Sequence, residues 1–427
     1  MRDARQFFIN GAWVAPRDGR DFPVYDPSTE EVFATISLGG QADTDAAVAA
    51  AKAALPGWSN VAKDERIAAL ERLLAAYTAR IDEMAEVISQ EMGAPIALAR
   101  RAQAAVGKSH IATAIRTLKE FQFERMFRED NTSDRILMEP IGVCALITPW
   151  NWPMNQVTLK VAPALAAGCT VILKPSEVAP LSSYLFAEMV EAADIPPGVF
   201  NLVNGDGPGI GTQLSVHPDV DMVSFTGSTR AGKAVTKNAA DSIKRVSLEL
   251  GGKGANVIFA DADAEAVRRG VRHCFNNSGQ SCNAPTRMLV ERSAYDIAVE
   301  TASEVAAETE VAPAGVDGRQ IGPVVSEVQW DKIQGLIQKG IDEGARLVAG
   351  GTGRPDGLNR GYFARPTVFA DVTPDMTIWR EEIFGPVLSI SPFDTEDEAL
   401  ELANDTAYGL TNYVQTTDQD KAHRAAR

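Results

Sequence analysis

The rhythm of apolar residues changes at position 143, and that change constrains the fold more than any other feature of the chain. Five short apolar runs follow: V-C-A-L-I-T from Val143, T-V-I-L-K from Thr170, F-N-L-V from Phe200, M-V-S-F-T from Met222 and R-V-S-L-E-L from Arg245, with helical stretches between them. Continuous apolar runs mark strands covered on both faces, and strands that alternate with helices form a parallel, doubly wound sheet. Such sheets bind ligands beyond the carboxyl ends of their strands. T-P-W-N at 148–151, K-P-S-E at 174–177 and F-T-G-S-T at 225–229 fall at or just past those ends, so one crevice is expected to collect them. After residue 250 a second α/β unit is predicted, with a strand at N-V-I-F, a helix near 263–276, a strand at R-M-L-V and further alternation to 427. Residues 43–119 read as helices, one carrying an apolar stripe of Ile67, Leu70, Leu73, Leu74, Tyr77 and Ile81. Residues 121–139 are charged, extended-looking and without periodicity, an excursion from the core. The closing D-K-A-H-R-A-A-R reads as the middle of a helix without a cap, so the C-terminal part of the fold is expected to be missing.

Composition then removes several function classes. With 427 residues, 45% hydrophobic and 23% charged, the chain holds enough core for two or three domains. A formal charge of −16, with no basic patch in the sequence, argues against nucleic acid and against anionic membrane surfaces. Four cysteines in so long a chain do not make a disulfide framework, and the N-terminus M-R-D-A-R-Q-F-F-I-N-G lacks a signal-peptide core, so a cytoplasmic setting is expected. Without a secretory signal, the N-x-S/T triplets at Asn131, Asn276 and Asn404 carry no weight. His110, His217, His273 and His423 have no ligand spacing, so no metal is expected.

Two glycine-rich stretches imitate nucleotide motifs. G-S-T-R-A-G-K-A at 227–234 fits a phosphate loop until Ala234, where a magnesium-binding hydroxyl is required, although a helix N-terminus near a phosphate remains a sound reading. G-D-G-P-G-I-G at 205–211 lacks the G-x-G-x-x-G spacing, and a bland turn is as good a reading as a coenzyme contact through Gly211.

Cys282 closes N-N-S-G-Q-S-C and precedes N-A-P-T-R, so small and polar neighbours surround it and it reads as an exposed nucleophile. With T-P-W-N-W-P at 148–153, K-P-S-E, F-T-G-S-T, L-E-L-G-G-K at 248–253 and E-E-I-F-G-P-V at 381–387, the chain resembles the NAD(P)-dependent aldehyde dehydrogenase superfamily over essentially its whole length. The resemblance implies a Rossmann-type coenzyme domain in 1–120 and 140–250, an oligomerisation arm in 121–139, and a catalytic domain from 251 to 427, incomplete at its C-terminus. It implies a homodimer or homotetramer, and a dinucleotide bound without the ordinary glycine fingerprint.

The same resemblance distributes roles. Cys282 is the expected nucleophile, Asn151 the oxyanion donor and Glu249 the base that activates water. That glutamate favours water over coenzyme A as the acyl acceptor. Lys174 and Glu177 match contacts to the adenosine ribose, and a carboxylate there repels a 2′-phosphate, so NAD is preferred to NADP. Glu382 matches the residue holding the nicotinamide ribose, with Phe384 packed nearby. Gly227 and Ser228 are expected beside the pyrophosphate, with Thr148 and Trp150 in the same crevice. Trp152, Gln156, Leu159, Ser281 and Asn283 match positions along a substrate tunnel without selecting an aldehyde. Read bare, Asn151 is also a turn residue and Glu381–Glu382 a solvated acidic pair. The rival readings are a cysteine esterase using the same thioester chemistry and a catalytically silent binding protein.

Overall fold

A computed structural model of the chain describes residues 2–128 and 131–427. The chain forms two compact units. The first comprises Met1–Tyr25, Val32–Glu91 and Leu98–Glu249; the second comprises Asp26–Glu31, Met92–Ala97 and Leu250–Arg427. The short segments 26–31 and 92–97 therefore join the second unit although they lie far upstream of it in sequence.

In the first unit a seven-stranded sheet runs in the order Arg245–Glu249, Met222–Thr226, Val143–Ile147, Thr170–Lys174, Phe200–Leu202, Phe7–Ile9, Ala12–Val14. The first five strands are parallel, and Phe7–Ile9 and Ala12–Val14 add an antiparallel edge. Every residue of Val143–Ile147 and Thr170–Lys174 is buried, which is why those segments read as unbroken apolar runs. Strand order reverses between Val143–Ile147 and Met222–Thr226, which are direct neighbours. That adjacency is the topological switch point of the sheet, where a doubly wound fold opens a crevice at its carboxyl edge.

The helices expected over 43–119 are present as Gln41–Ser59, Lys63–Ala79, Ile81–Met92 and Ala105–Glu120. Ile67, Leu70, Leu73 and Tyr77 of the predicted stripe are buried, and the Tyr77 hydroxyl donates to the Ala104 carbonyl at 2.8 Å. Within 121–139, Glu124–Arg128 pairs antiparallel with Asn131–Leu137, and residues 129–130 lie outside the described part. Phe127, Leu137 and Met138 of this stretch are exposed.

The second unit carries a six-stranded sheet ordered Arg346–Ala349, Thr367–Ala370, Val387–Phe393, Arg287–Glu291, Ala255–Ile258, Tyr413–Gln415. All neighbours are parallel except Arg346–Ala349. Alternate residues enter opposite faces: Val257, Leu289 and Phe369 join a core with Ile333 and Trp379, while Ile258, Met288 and Val368 join one with Cys274 and Val271. The closing helix Gln419–Ala425 is capped at its start by Asp418, which accepts from the Asp420 and Lys421 N–H groups. No helix among the described residues is long and apolar enough to cross a membrane.

Candidate active site

The residues singled out by sequence fall into two groups, one on each unit. In the first unit, Thr148, Trp150 and Asn151 follow strand Val143–Ile147, Lys174 ends its strand, Gly227 and Ser228 follow Met222–Thr226, and Glu249 ends Arg245–Glu249. Because these strands are parallel neighbours, all these positions lie along one carboxyl edge. Hydrogen bonds stitch the edge together. Thr148 N–H donates to the Lys174 carbonyl at 3.0 Å, and Gly227 N–H to the Glu249 carbonyl at 3.0 Å.

Lys174 is buried, and its ammonium donates to the Pro175 carbonyl at 2.7 Å and lies 3.5 Å from the Glu177 carboxylate. Burial lowers its pKa, with Glu177 opposing the shift. Ser228 caps helix Thr229–Ala240, accepting from Ala231 N–H at 3.3 Å. The near-phosphate-loop sequence thus does open a helix, with its N–H groups at the sheet's carboxyl edge. Gly211 is buried at the end of the turn Gly207–Gly211, which is held by the Asp206 carboxylate accepting from Gly209 N–H at 2.6 Å.

These groups fit a dinucleotide: a switch-point crevice, a helix start for a pyrophosphate and an acid beside the second strand. The hydroxyls of Thr148 and Thr226, at the ends of the two switch-point strands, are buried without a hydrogen-bond partner. Orphaned hydroxyls at a crevice floor are an ordinary mark of a polar ligand site.

Asn151 is buried, and its carbonyl accepts from the Gln103 side chain at 3.4 Å. Helix Pro153–Ala166 begins two residues later, with proline in its first turn, so the W-N-W-P sequence sets the start of this helix. Gln156 is buried on it, and Leu159 lines a largely apolar cavity of about 320 Å³ together with His110, Leu118, Phe121 and Pro163. Sequence reading missed Lys160 on the same helix. Its buried ammonium donates to the Ser224 hydroxyl at 2.9 Å; burial lowers its pKa to about 8, and the charge of Glu249 opposes the shift. The only signal was a lysine whose flanking residues, Leu159 and Val161, are apolar. Glu249 itself is exposed on the terminal strand.

In the second unit the cysteine loop approaches its sheet from the opposite end. Cys282 precedes Arg287–Glu291, Gly251–Gly254 precede Ala255–Ile258, and Glu382 precedes Val387–Phe393, so all three lie at amino ends of parallel neighbours. The loop opens with Asn277, Ser278 and Gly279 at φ of 53°, 56° and 72°, a left-handed run that only over-determined surroundings hold. Ser278 donates to the Gly322 carbonyl at 2.7 Å, and the Gln280 side chain accepts from Val325 N–H at 2.9 Å. A side-chain carbon on Gly279 would stand 2.0 Å from the Gly385 carbonyl, so this loop and the F-G-P turn are in backbone contact.

Cys282 is half-buried rather than exposed as the sequence suggested, and its backbone meets Gly252 closely. A Cβ at Gly252 would be 2.4 Å from the Cys282 carbonyl oxygen, and one at Gly251 would be 2.2 Å from a Glu382 carboxylate oxygen. Gly252 N–H donates to Glu382 Oε1 at 3.0 Å. Burial raises the Glu382 pKa, opposed by that N–H and by Lys332 and Lys253. Gln329 fixes the next turn by donating to the Ile383 and Phe384 carbonyls at 3.2 and 2.9 Å, with Phe384 at φ 61°. Ser281 is buried and Asn283 exposed, its carbonyl accepting from the Tyr413 hydroxyl at 2.9 Å. The other three cysteines are buried, and no disulfide joins the four. No metal-binding cluster occurs among the described residues.

The first unit thus carries a switch-point crevice suited to a dinucleotide, and the second a half-buried cysteine whose backbone meets Gly252. The model of the aldehyde dehydrogenase family matches residues 13–427, and the chain belongs to that family. It is 51% identical to a 3-succinoylsemialdehyde-pyridine dehydrogenase of a Pseudomonas species, over all of this chain and 89% of the relative. An aldehyde dehydrogenase structure from Bartonella henselae is 60% identical, with a TM-score of 0.99 over 100% of this chain and 90% of that one. A mutant of aldehyde dehydrogenase C from Pseudomonas syringae, solved with NAD+ and octanal, is 48% identical with a TM-score of 0.97 over 99% and 87%.

Two tests follow from the second unit. Gly252→Ala should lower kcat/KM roughly 10- to 100-fold and destabilise by about 1–3 kcal/mol, read by NADH formation and thermal melting; wild-type values for both would show that the contact has slack. The Lys253 ammonium is buried without a hydrogen-bond partner, and burial, with Arg287 beside it, depresses its pKa from 10.5 to about 7. Between those values the unfolded chain binds the extra proton, so this group's contribution to stability improves as pH rises from 7 to 10.5. Lys253→Met should therefore be more stable than wild type in urea at pH 7, with the difference shrinking toward pH 10; a difference constant across that range would contradict the burial of an ionisable amine.

Proposed function

We propose that this enzyme oxidises an aldehyde to its carboxylic acid with NAD, through acyl chemistry on the Cys282 sulfur. The observation that carries the reading is Cys282 itself, the one partly accessible thiol of the four, set on a loop whose backbone is locked by Gly252 and by the Gly279–Gly385 contact. A nucleophile on a locked loop meets its substrate with little entropy left to lose.

In this reading the Cys282 thiolate attacks the aldehyde carbon, and the carbonyl electrons move onto oxygen. The Asn151 amide and the Cys282 N–H are assigned to that oxyanion, where removal of one donor typically costs about 10²–10³ in rate. NAD supplies the acceptor for the hydride that leaves the same carbon. What remains on Cys282 is a thioester. Glu249 takes a proton from water, the hydroxide adds to the acyl carbon, and the carbon–sulfur bond breaks to release acid and thiolate. Exposure of Glu249 at the end of a terminal strand, with Gly251 and Gly252 two and three positions on, suits a base that must change position between steps.

Coenzyme contacts are assigned to Lys174 and Glu177 at the adenosine ribose, to Gly227, Ser228 and Gly211 near the pyrophosphate, and to Glu382 and Phe384 at the nicotinamide end. Thr148 and Trp150 belong to the same crevice. The Glu177 carboxylate favours NAD over NADP by repelling a 2′-phosphate. Trp152, Gln156, Leu159, Ser281 and Asn283 are assigned to the approach of the aldehyde. One relative is named for a pyridyl semialdehyde and the mutant of another was solved with octanal, so the test panel should span alkyl, aryl and semialdehyde substrates. The exposed Phe127, Leu137 and Met138 of the hairpin support a homodimer or homotetramer. A reducing, cytoplasmic setting suits a working thiol.

NADH formation followed with that panel should show turnover in wild type and none in Cys282→Ala. Glu249→Gln should release up to one NADH per site and then stall. Steady turnover of Glu249→Gln would remove Glu249 from the role of base, and ester cleavage without NADH would replace the dehydrogenase reading with a hydrolase.

A further inference from the structure

Glu91 lies in the last turn of helix Ile81–Met92, the end where a helix's own carbonyl groups disfavour an anion. It is fully buried at 0% exposure. Its oxygens accept from two backbone N–H groups far along the chain, Leu181 at 2.5 Å and Ser182 at 3.1 Å. These are the first two N–H groups of helix Leu181–Ala192, whose flanking residue is Pro180 and which has no side-chain cap of its own. A helix start leaves such groups without partners, and a neighbouring Ser, Thr, Asp or Asn ordinarily supplies the acceptor. Here the acceptor comes from another helix, and an anion misplaced for its own helix is well placed for the other. Burial still pushes the carboxyl up to about 7 against the pull of those N–H groups. A residue kept at that cost points to something it must hold in place.

What it holds is the far end of a short loop. Strand Thr170–Lys174 is paired on both sides, and Thr148 N–H donates to the Lys174 carbonyl, so the loop's first end is fixed by the sheet. Residues 175–180 follow, with Glu177 beside the Lys174 ammonium, and the chain then enters the helix that Glu91 caps.

We propose that Glu91 is a positioning residue for the coenzyme: by capping helix Leu181–Ala192 from outside, it holds the Lys174–Glu177 loop in the form that grips the adenosine ribose and excludes a 2′-phosphate. The proposal rests on the assignment of Lys174 and Glu177 to that ribose.

The test measures NAD and NADP binding by quenching of intrinsic tryptophan fluorescence, with thermal melting, in wild type, Glu91→Gln, Glu177→Ala and Leu185→Ala. Leu185 is fully buried on the same helix, so its truncation loosens packing while leaving the cap in place. Glu91→Gln should raise the Kd for NAD about three- to thirty-fold and shrink the preference over NADP, with kcat at saturating NAD within about twofold of wild type. Leu185→Ala should lower Tm and leave both binding constants as they were. If Glu91→Gln does not fold, Glu91→Asp, one methylene short of the helix start, carries the same expectation. Wild-type NAD affinity and NADP discrimination in a folded Glu91 variant, with weakened binding in Glu177→Ala, would overturn the role of Glu91. Equal weakening in Leu185→Ala would reduce that role to general stability. Unchanged binding in Glu177→Ala would instead overturn the ribose assignment beneath the proposal.

Discussion

The second unit depends on the absence of a side chain at Gly252. Its Cα faces the Cys282 carbonyl so closely that a methyl group would stand 2.4 Å from that oxygen, while its N–H holds the Glu382 carboxylate at 3.0 Å. One residue therefore ties together the starts of three parallel strands: Ala255–Ile258, which it precedes, Arg287–Glu291, which follows the cysteine loop, and Val387–Phe393, which follows Glu382. Close backbone contact replaces side-chain packing at this crossing, and it fixes the backbone from which the Cys282 side chain projects. The neighbouring Arg287 completes the frame. Its guanidinium is buried over the Trp379 ring and donates to the Lys253, Leu402 and Ala403 carbonyls at 2.9, 2.8 and 2.7 Å, so the strand after Gly252 and the end of helix Glu396–Asn404 are held together.

The first unit solves a different problem, presenting several polar groups along one edge of a buried sheet. Parallel neighbours bring Thr148, Lys174, Gly227 and Glu249 to that edge automatically, because each ends or follows a strand in register with the next. What parallel pairing leaves loose is the run of chain beyond each strand. Ser228 fixes one such run by capping its own helix, and Glu91 fixes another from a distance. The family's dinucleotide is thereby offered a floor set by strand register and walls set by helix starts.

Much of this was legible in the sequence, for physical reasons. Strands buried on both faces must be continuously apolar, which exposed Val143–Ile147 and Thr170–Lys174; a cysteine among small and polar residues has little reason to pack in a core, which exposed the loop 276–282. The missing parts are long-range. Nothing near Glu91 announces a partner ninety positions on. Nothing near Met92 announces that 92–97 packs with a unit beginning at Leu250. The half-burial of Cys282 escaped reading as well, since its polar neighbours advertise exposure. Local pattern reports propensity and periodicity, and contacts made by closing the fold leave little trace in it.

The central claim, that Cys282 carries the substrate as an acyl group, is tested most directly by weighing it. The enzyme is mixed with aldehyde and NAD, quenched in acid within the first turnover, digested, and the peptide containing Cys282 measured by mass spectrometry. One acyl group should appear on Cys282 with the first NADH and disappear as acid is released. NADH formed with that peptide unmodified at every time point, or with the acyl group on another residue, would contradict it.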